Sequence, residues 1–180
     1  MKILSLDLAT RTGAAIGGPG EAPICMTVDL GKSLSEAERF SRAIRMVGFF
    51  VKKHRPDVIA IEGTVGGAFR SDFLTGLIAC VKGAAALHGV PVEEHNVGAV
   101  RRHFLGRHIT SSAAEFKHLP PKRRRAAARG AAKSAVVAKC EMMGWKVADD
   151  DQADAAAILD FALSQRSRAH QITSVGGLFR

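Results

Sequence analysis

Over the first thirty residues, short apolar runs alternate with polar turns. ILSLDL (3–8), GAAIGG (13–18) and ICMTVDLG (24–31) each have the length of a strand, and the intervening ATRT reads as a hairpin turn. The period then changes. From Ser35 onward, Phe40, Ile44, Val47 and Val51 recur at helical spacing, with Arg39, Arg42, Arg45 and Lys52 off that stripe. Ser35 and Glu38 form a capping box, so an amphipathic helix is predicted up to the ArgPro break at 55–56. DVIAIEG (57–63) is apolar on both alternating faces, as a central strand covered from both sides should be. A glycine-rich loop, GTVGGAFRS (63–71), leads into an apolar helix over 72–89 that Gly89 stops. PVEEHNV (91–97) reads as a strand and AVRRHFLG as a short helix. A basic loop follows, then helices over ARGAAKSAVVAKCEMMG (128–144) and DQADAAAILDFALSQR (151–166).

The predicted order is therefore β-β-β-α-β-α-β-α-α-α. Three antiparallel strands followed by alternating units give an α/β fold, with a mixed five-stranded sheet and helices on both faces. At 180 residues the chain is the size of one domain, expected over 1–166, with a basic insertion around 106–128 and a poorly ordered tail over 167–180. No apolar run approaches the roughly 20 residues of a membrane span, and MKILSLDL lacks the features of a signal peptide. A cytoplasmic protein is expected, in the host cytoplasm if a phage encodes it.

Charge changes this picture more than composition does. The net charge is +9, and it is not spread evenly. Residues 101–133 hold ten Lys or Arg against one acid, Glu115, so this stretch carries the whole excess and the remainder is neutral. A block centred on PPKRRR suggests a polyanion partner, most commonly nucleic acid; a solvated basic loop is the plainer reading. Cys25, Cys80 and Cys140 lie far apart and form no CxxC pair, which predicts reduced thiols rather than a disulfide framework or zinc site. His103 and His108 are five apart, which is not the spacing of a ligand pair on one helix face.

The acids are placed differently. Asp7 closes the first strand and Glu62 the fourth, and strand ends are where α/β folds put their chemistry. VADDDQADAAAILD (147–160) adds Asp149, Asp150, Asp151 and Asp154 at a helix start. The helix dipole rewards a carboxylate there by about 0.3–1 kcal/mol, so capping accounts for one or two of them. A helix beginning near Asp151 sets Asp151 and Asp154 on one face, with small alanines around them. Two carboxylates about 4 Å apart repel by about 4 kcal/mol at an effective dielectric of 20, which a divalent cation would offset. Oxygen ligands alone select Mg²⁺ or Mn²⁺, and two such ions can drive an in-line phosphoryl displacement. An acidic cage beside a basic surface is the pattern of a metal-dependent nuclease.

With ILSLDLATRTG ending its first strand in Asp, VIAIEG its fourth in Glu, and D151-Q-A-D154-A-A-A after an Ala/Lys-rich helix, the chain resembles the RuvC-type Holliday junction resolvases of the ribonuclease H-like superfamily. The likeness covers roughly residues 1–165. It implies a homodimeric endonuclease that cuts four-way DNA junctions with two Mg²⁺ ions, for which Mn²⁺ substitutes. Asp7, Glu62, Asp151 and Asp154 would be both catalytic and metal-binding. A second register is open, pairing Asp154 with Ala157 and leaving a defective site. So is the choice between Asp151 and Asp150 as the partner of Asp154, the spare aspartate being a cap or an outer acid. Lys133 resembles a basic family position near the scissile phosphate. Phe69 and Arg70, beside Glu62, are candidates to wedge against unpaired bases, although Phe69 could equally be core. Arg101, Arg102, Lys122, Arg123, Arg124, Arg125 and Arg129 complete the expected DNA-binding set.

Two other functions fit parts of the sequence. D7-LATRT-G13 also resembles the phosphate turn of actin-like ATPases, but those need two such domains. A branched-DNA binder without catalysis would use the basic stretch alone.

Overall fold

The computed structural model describes residues 1–63, 71–106 and 116–166, with the side chains at 121, 122 and 125 set aside. The element order is the predicted one: β1 (Ile3–Asp7), β2 (Arg11–Gly17), β3 (Ile24–Asp29), α1 (Glu36–His54), β4 (Val58–Glu62), α2 (Asp72–Leu87), β5 (Val92–His95), α3 (Val97–Leu105), α4 (Pro121–Met142) and α5 (Asp150–Ser164). The strands form one sheet in the order β3-β2-β1-β4-β5. β1 and β3 run antiparallel to β2, while β4 runs parallel to β1 and β5. Among the described residues no helix is long and apolar enough to cross a membrane.

Alternation along the strands decides what faces what. Leu4, Leu6 and Leu8, with Ile59, Ile61, Ala14 and Ile16, form one layer against Met46, Val47 and Phe50 of α1 and Ile78 and Val81 of α2. The opposite residues, Ile3, Ala15 and Ala60, pack with α5 and with residues of α3 and α4. Period two then carries Asp7 and Glu62 onto the α5 side, because each lies two or four positions beyond a residue of that layer. Leu6 pairs with Ile61 across the parallel ladder, so the two acids are the next positions on neighbouring strands.

The α5 side is built from small residues. Gly13 and Gly17 of β2 lie against the Asp151–Gln152 backbone and Leu159 of α5, and Ala15 shares one apolar cluster with Ala153, Ala155, Ala156 and Ala157, all four buried. Ser5, fully buried, donates to the carbonyl of Ala155 at 2.7 Å and so ties the central strand to the helix backbone. A Cβ on Gly13 would stand 1.9 Å from the Asp151 carbonyl oxygen, which leaves no room for any side chain there.

Two expectations shift. On the sheet α1 buries Met46, Val47 and Phe50, its Ala43 packs with Leu30 and Leu77, and Ile44 is 43% exposed. Phe40 turns instead to α2, stacking on Phe73 at 5.6 Å over Gly76, so the helix meets two neighbours and has no single stripe. The basic run is not a loop: α4 begins at Pro121, seven residues before its predicted start, and PKRRRAAA forms its first two turns. Proline suits the first helical position, and arginine and alanine are strong helix formers. Lys133 is consequently mid-helix. The glycine-rich loop over 64–70, part of the insertion (107–115) and the tail (167–180) lie outside the described residues.

Gly13→Ala is expected to destabilise the protein by about 1–3 kcal/mol, the usual cost of overpacking, because the α5 backbone must retreat. Thermal unfolding should show this as a fall of about 2–4 °C per kcal/mol. Gly83→Ala on α2, where an added Cβ meets nothing, should raise stability by about 0.5–1 kcal/mol. Equal unfolding temperatures for wild type and Gly13→Ala would contradict the close approach.

Candidate active site

The acid run at the start of α5 is resolved into separate roles by what each side chain meets. Asp149 is the N-cap: its carboxylate accepts from the Gln152 backbone N–H at 2.9 Å, and Thr27 on β3 donates to it at 2.9 Å. Gln152 extends this lock, donating to the Thr27 hydroxyl at 3.1 Å and accepting from the Ala148 N–H at 3.0 Å. Asp150 pairs with Lys133 of α4 at 2.5 Å. The Lys133 hydrogen bond holds the Asp150 carboxyl below its usual range, with the lysine's charge adding to it, and the same bond raises Lys133. Asp151 is engaged by Arg11 of β2, whose Nε stands 3.3 Å from it while the other arm of the guanidinium reaches Asp149 at 2.7 Å.

Asp7 is the electrostatic centre. Burial first, then the charges of Asp154, Glu62 and Asp151, push its carboxyl up to about 7, with Lys133 opposing. Glu62 and Asp154 are also raised, chiefly by burial. Arg101 of α3 pulls both back down, and Lys133 pulls Asp154. The four acids expected to act together are thus within one another's field, and the two registers differ in what accompanies them. Asp151 and Asp154 act on Asp7, whereas Ala157 lies in the packed layer beneath the sheet and Asp150 is turned to Lys133.

The basic candidates divide. Arg101 and Lys133 stand beside the acids. Arg102, Arg123 and Arg129 are exposed on α3 and α4. The Arg124 guanidinium is engaged locally, donating at 2.7 Å to the carbonyls of Leu119 and Lys117 in the turn before its helix. The side chains of Lys122 and Arg125, and all of Phe69 and Arg70, lie outside the described residues. Arg11, Thr27 and Gln152 were not anticipated. Only Arg11 carried a signal: a charged residue within a turn that otherwise joins two apolar strands.

The donor set is oxygen throughout, which fits Mg²⁺ or Mn²⁺. Asp7, Glu62, Asp151 and Asp154 are the residues that could hold such ions. The Asp7 carboxyl is raised first by burial and then by the charges of Asp154, Glu62 and Asp151, against which Lys133 acts in the opposite direction. Among the described residues, however, no three His, Cys, Asp or Glu side chains stand close enough as placed to enclose an ion. The carboxylates form an open set rather than a closed cage.

No protein-family model matches the sequence, and no curated protein matches it. Solved structures do. RuvC of Thermus thermophilus superposes with a TM-score of 0.60 at 18% identity, over 99% of this chain and 96% of that one. T. thermophilus RuvC in complex with a Holliday junction substrate gives 0.62 at 17% identity, over 99% and 96%. The yeast mitochondrial Holliday junction resolvase Ydc2 gives 0.53 at 12%, over 98% and 79%. Identities this low speak to the fold alone. The strand order, the helices on both faces and these likenesses together give the chain the ribonuclease H-like fold of the RuvC-type resolvases.

Proposed function

We propose that the chain is a Mg²⁺-dependent endonuclease that cuts four-way or other branched DNA, acting as a homodimer. The observation that carries this reading is that Glu62, Asp151 and Asp154 all act electrostatically on the buried Asp7, in a fold whose solved neighbours include RuvC in complex with a Holliday junction substrate. Asp7 and Glu62 arrive from adjacent parallel strands, and Asp151 and Asp154 from the first two turns of α5. These carboxylates would hold two Mg²⁺ ions, with Mn²⁺ as substitute, which supply an activated water and stabilise the leaving oxygen. Arg101 and Lys133, already within the acids' field, would take the phosphate that the carboxylates repel. Arg102, Arg123 and Arg129, together with Lys122 and Arg125, would track the backbone beyond it, and Phe69 and Arg70 would meet the unpaired centre.

The open carboxylate set favours one alternative, a branched-DNA binder that does not cut. A synthetic four-way junction separates the two. The nuclease reading expects cleavage that needs Mg²⁺, with Asp7→Asn losing at least about 10²-fold in rate and retaining binding. Binding by wild type without cleavage in Mg²⁺ or Mn²⁺ would establish the binder instead.

The Asp7 carboxyl also fixes a pH dependence. It titrates at about 7 in the folded chain against 3.8 ordinarily, so between those values the folded state holds a proton that the unfolded state has released. Stability must then fall as pH rises through that window, with the loss complete above it. Metal-free Asp7→Asn should melt several degrees above wild type at pH 8 and close to it at pH 4. Added Mg²⁺ should raise the wild-type melting temperature at pH 8 more than the variant's. A variant less stable than wild type at pH 8 would contradict the crowding of charge around Asp7.

Junction affinity should fall steeply with salt, by a log–log slope of about 0.9 for each phosphate neutralised. Replacing Arg123 or Arg129 by Ala should reduce that slope by about one and weaken binding to all sequences alike. A salt-independent affinity would remove α4 from the interface.

A further inference from the structure

Arg11 stands at the first position of β2, more than half exposed, yet its guanidinium bridges two aspartates of α5. One of them, Asp149, is fixed in place. It caps the helix through the Gln152 N–H and is held by the Thr27 hydroxyl, so its carboxylate cannot turn without breaking both bonds. The other, Asp151, has no such backbone role, and its Oδ2 lies 3.3 Å from the Arg11 Nε as an ion pair. The planar fork of arginine can join a fixed carboxylate to a movable one, which the point charge of lysine cannot do as well. Engagement at Oδ2 leaves Oδ1 of Asp151 available to a cation. Arg11 and Lys133 also divide the acid run between them, Lys133 taking Asp150 on the far side.

We infer that Arg11 is a positioning residue for the metal site: anchored on Asp149, it orients Asp151 so that the carboxylate is presented to a divalent cation together with Asp7, Glu62 and Asp154. This rests on the nuclease reading only in its assumption that those acids bind a metal. A carboxylate ligand whose orienting partner is removed typically loses about 10- to 100-fold in metal affinity. The electrostatic sign runs the other way, since removing a cation should by itself tighten the binding of another cation. The two accounts therefore predict opposite shifts.

The test is Mn²⁺ binding to the full chain without DNA, followed by calorimetry or by water proton relaxation. Arg11→Ala is expected to weaken Mn²⁺ by about 10- to 100-fold. Arg11→Lys, which keeps the charge and loses the fork, should recover only a small part. Thr27→Val removes one of the two bonds that fix Asp149 and leaves the Gln152 N–H cap and the Arg11 pairs in place, so it should weaken Mn²⁺ by clearly less than Arg11→Ala. Unchanged or tighter binding by Arg11→Ala would overturn the inference. So would full recovery by lysine, which would reduce the role to charge, or a loss in Thr27→Val equal to that in Arg11→Ala, which would reduce it to capping. Wild type that takes up no Mn²⁺ overturns the metal reading as well; wild type that binds while Arg11→Ala binds equally overturns the role of Arg11 alone.

Discussion

The close seating of α5 on the sheet is the constraint on which the rest depends. The helix approaches until a Cβ on Gly13 would collide with the Asp151 carbonyl, and it can do so because β2 and α5 show each other glycine and alanine. Dispersion falls off quickly with separation, so surfaces of small side chains gain packing energy only by bringing backbones together. The Ser5 hydroxyl on the Ala155 carbonyl fixes the depth, and the Asp149 cap with Thr27 fixes the helix end against β3. Once these hold, the position of Asp151 and Asp154 relative to Asp7 is no longer free.

This seating opposes the electrostatics it creates. α5 is almost wholly buried beyond its first turn, and its stability comes from that apolar length. The first turn carries three successive aspartates at a place where the helix dipole welcomes only part of their charge. Arg11 pairs with Asp149 and Asp151 and Lys133 with Asp150, so all three are engaged directly, and Arg101 moderates Glu62 and Asp154 from α3. What remains falls on Asp7, which sits deepest and has no ion-pair partner among the described residues. α5 thus carries charge repulsion at its start and apolar packing along the rest of its length.

Much of the architecture could be read from the chain because it follows local rules. Strand length, the capping box at Ser35 and Glu38, and the two periods fixed the element order, while Asp7 and Glu62 stood out as acids closing apolar runs. The face of each acid was equally implicit, since counting by twos from Ile3 and Ala60 leads to them. The interactions that fasten α5 were not legible. Thr27 meets Asp149 across 122 residues and Arg11 meets it across 138, and no periodicity connects such pairs. The start of α4 was missed for a different reason. Consecutive charges resemble a solvated loop, yet arginine and alanine both favour helix, and two prolines supply a sound beginning. In α1 three of the four stripe residues do pack inward, Val47 and Val51 on the sheet layer and Phe40 toward α2, and only Ile44 is exposed, because a helix that meets a sheet and a second helix needs two apolar directions.

The basic segment and the acid cluster are best understood as one electrostatic system. A carboxylate set able to hold cations repels a phosphate backbone, and at physiological ionic strength that repulsion is screened over only about 8 Å. Compensation must therefore come from charges placed within that distance rather than from net charge alone. Lys133 and Arg101 meet this condition: both act directly on the acids, from two different helices on the same side of the sheet. The exposed arginines further along α4 cannot lower the cost at the acids themselves, but they extend the favourable field along the path a backbone would take. By forming helix rather than loop, the basic run holds these charges in fixed order on one rigid element whose middle is already tied to Asp150. On the proposed reading, a cationic helix tied by its centre to the acid-bearing end of α5 would bring a polyanion to carboxylates that otherwise exclude it.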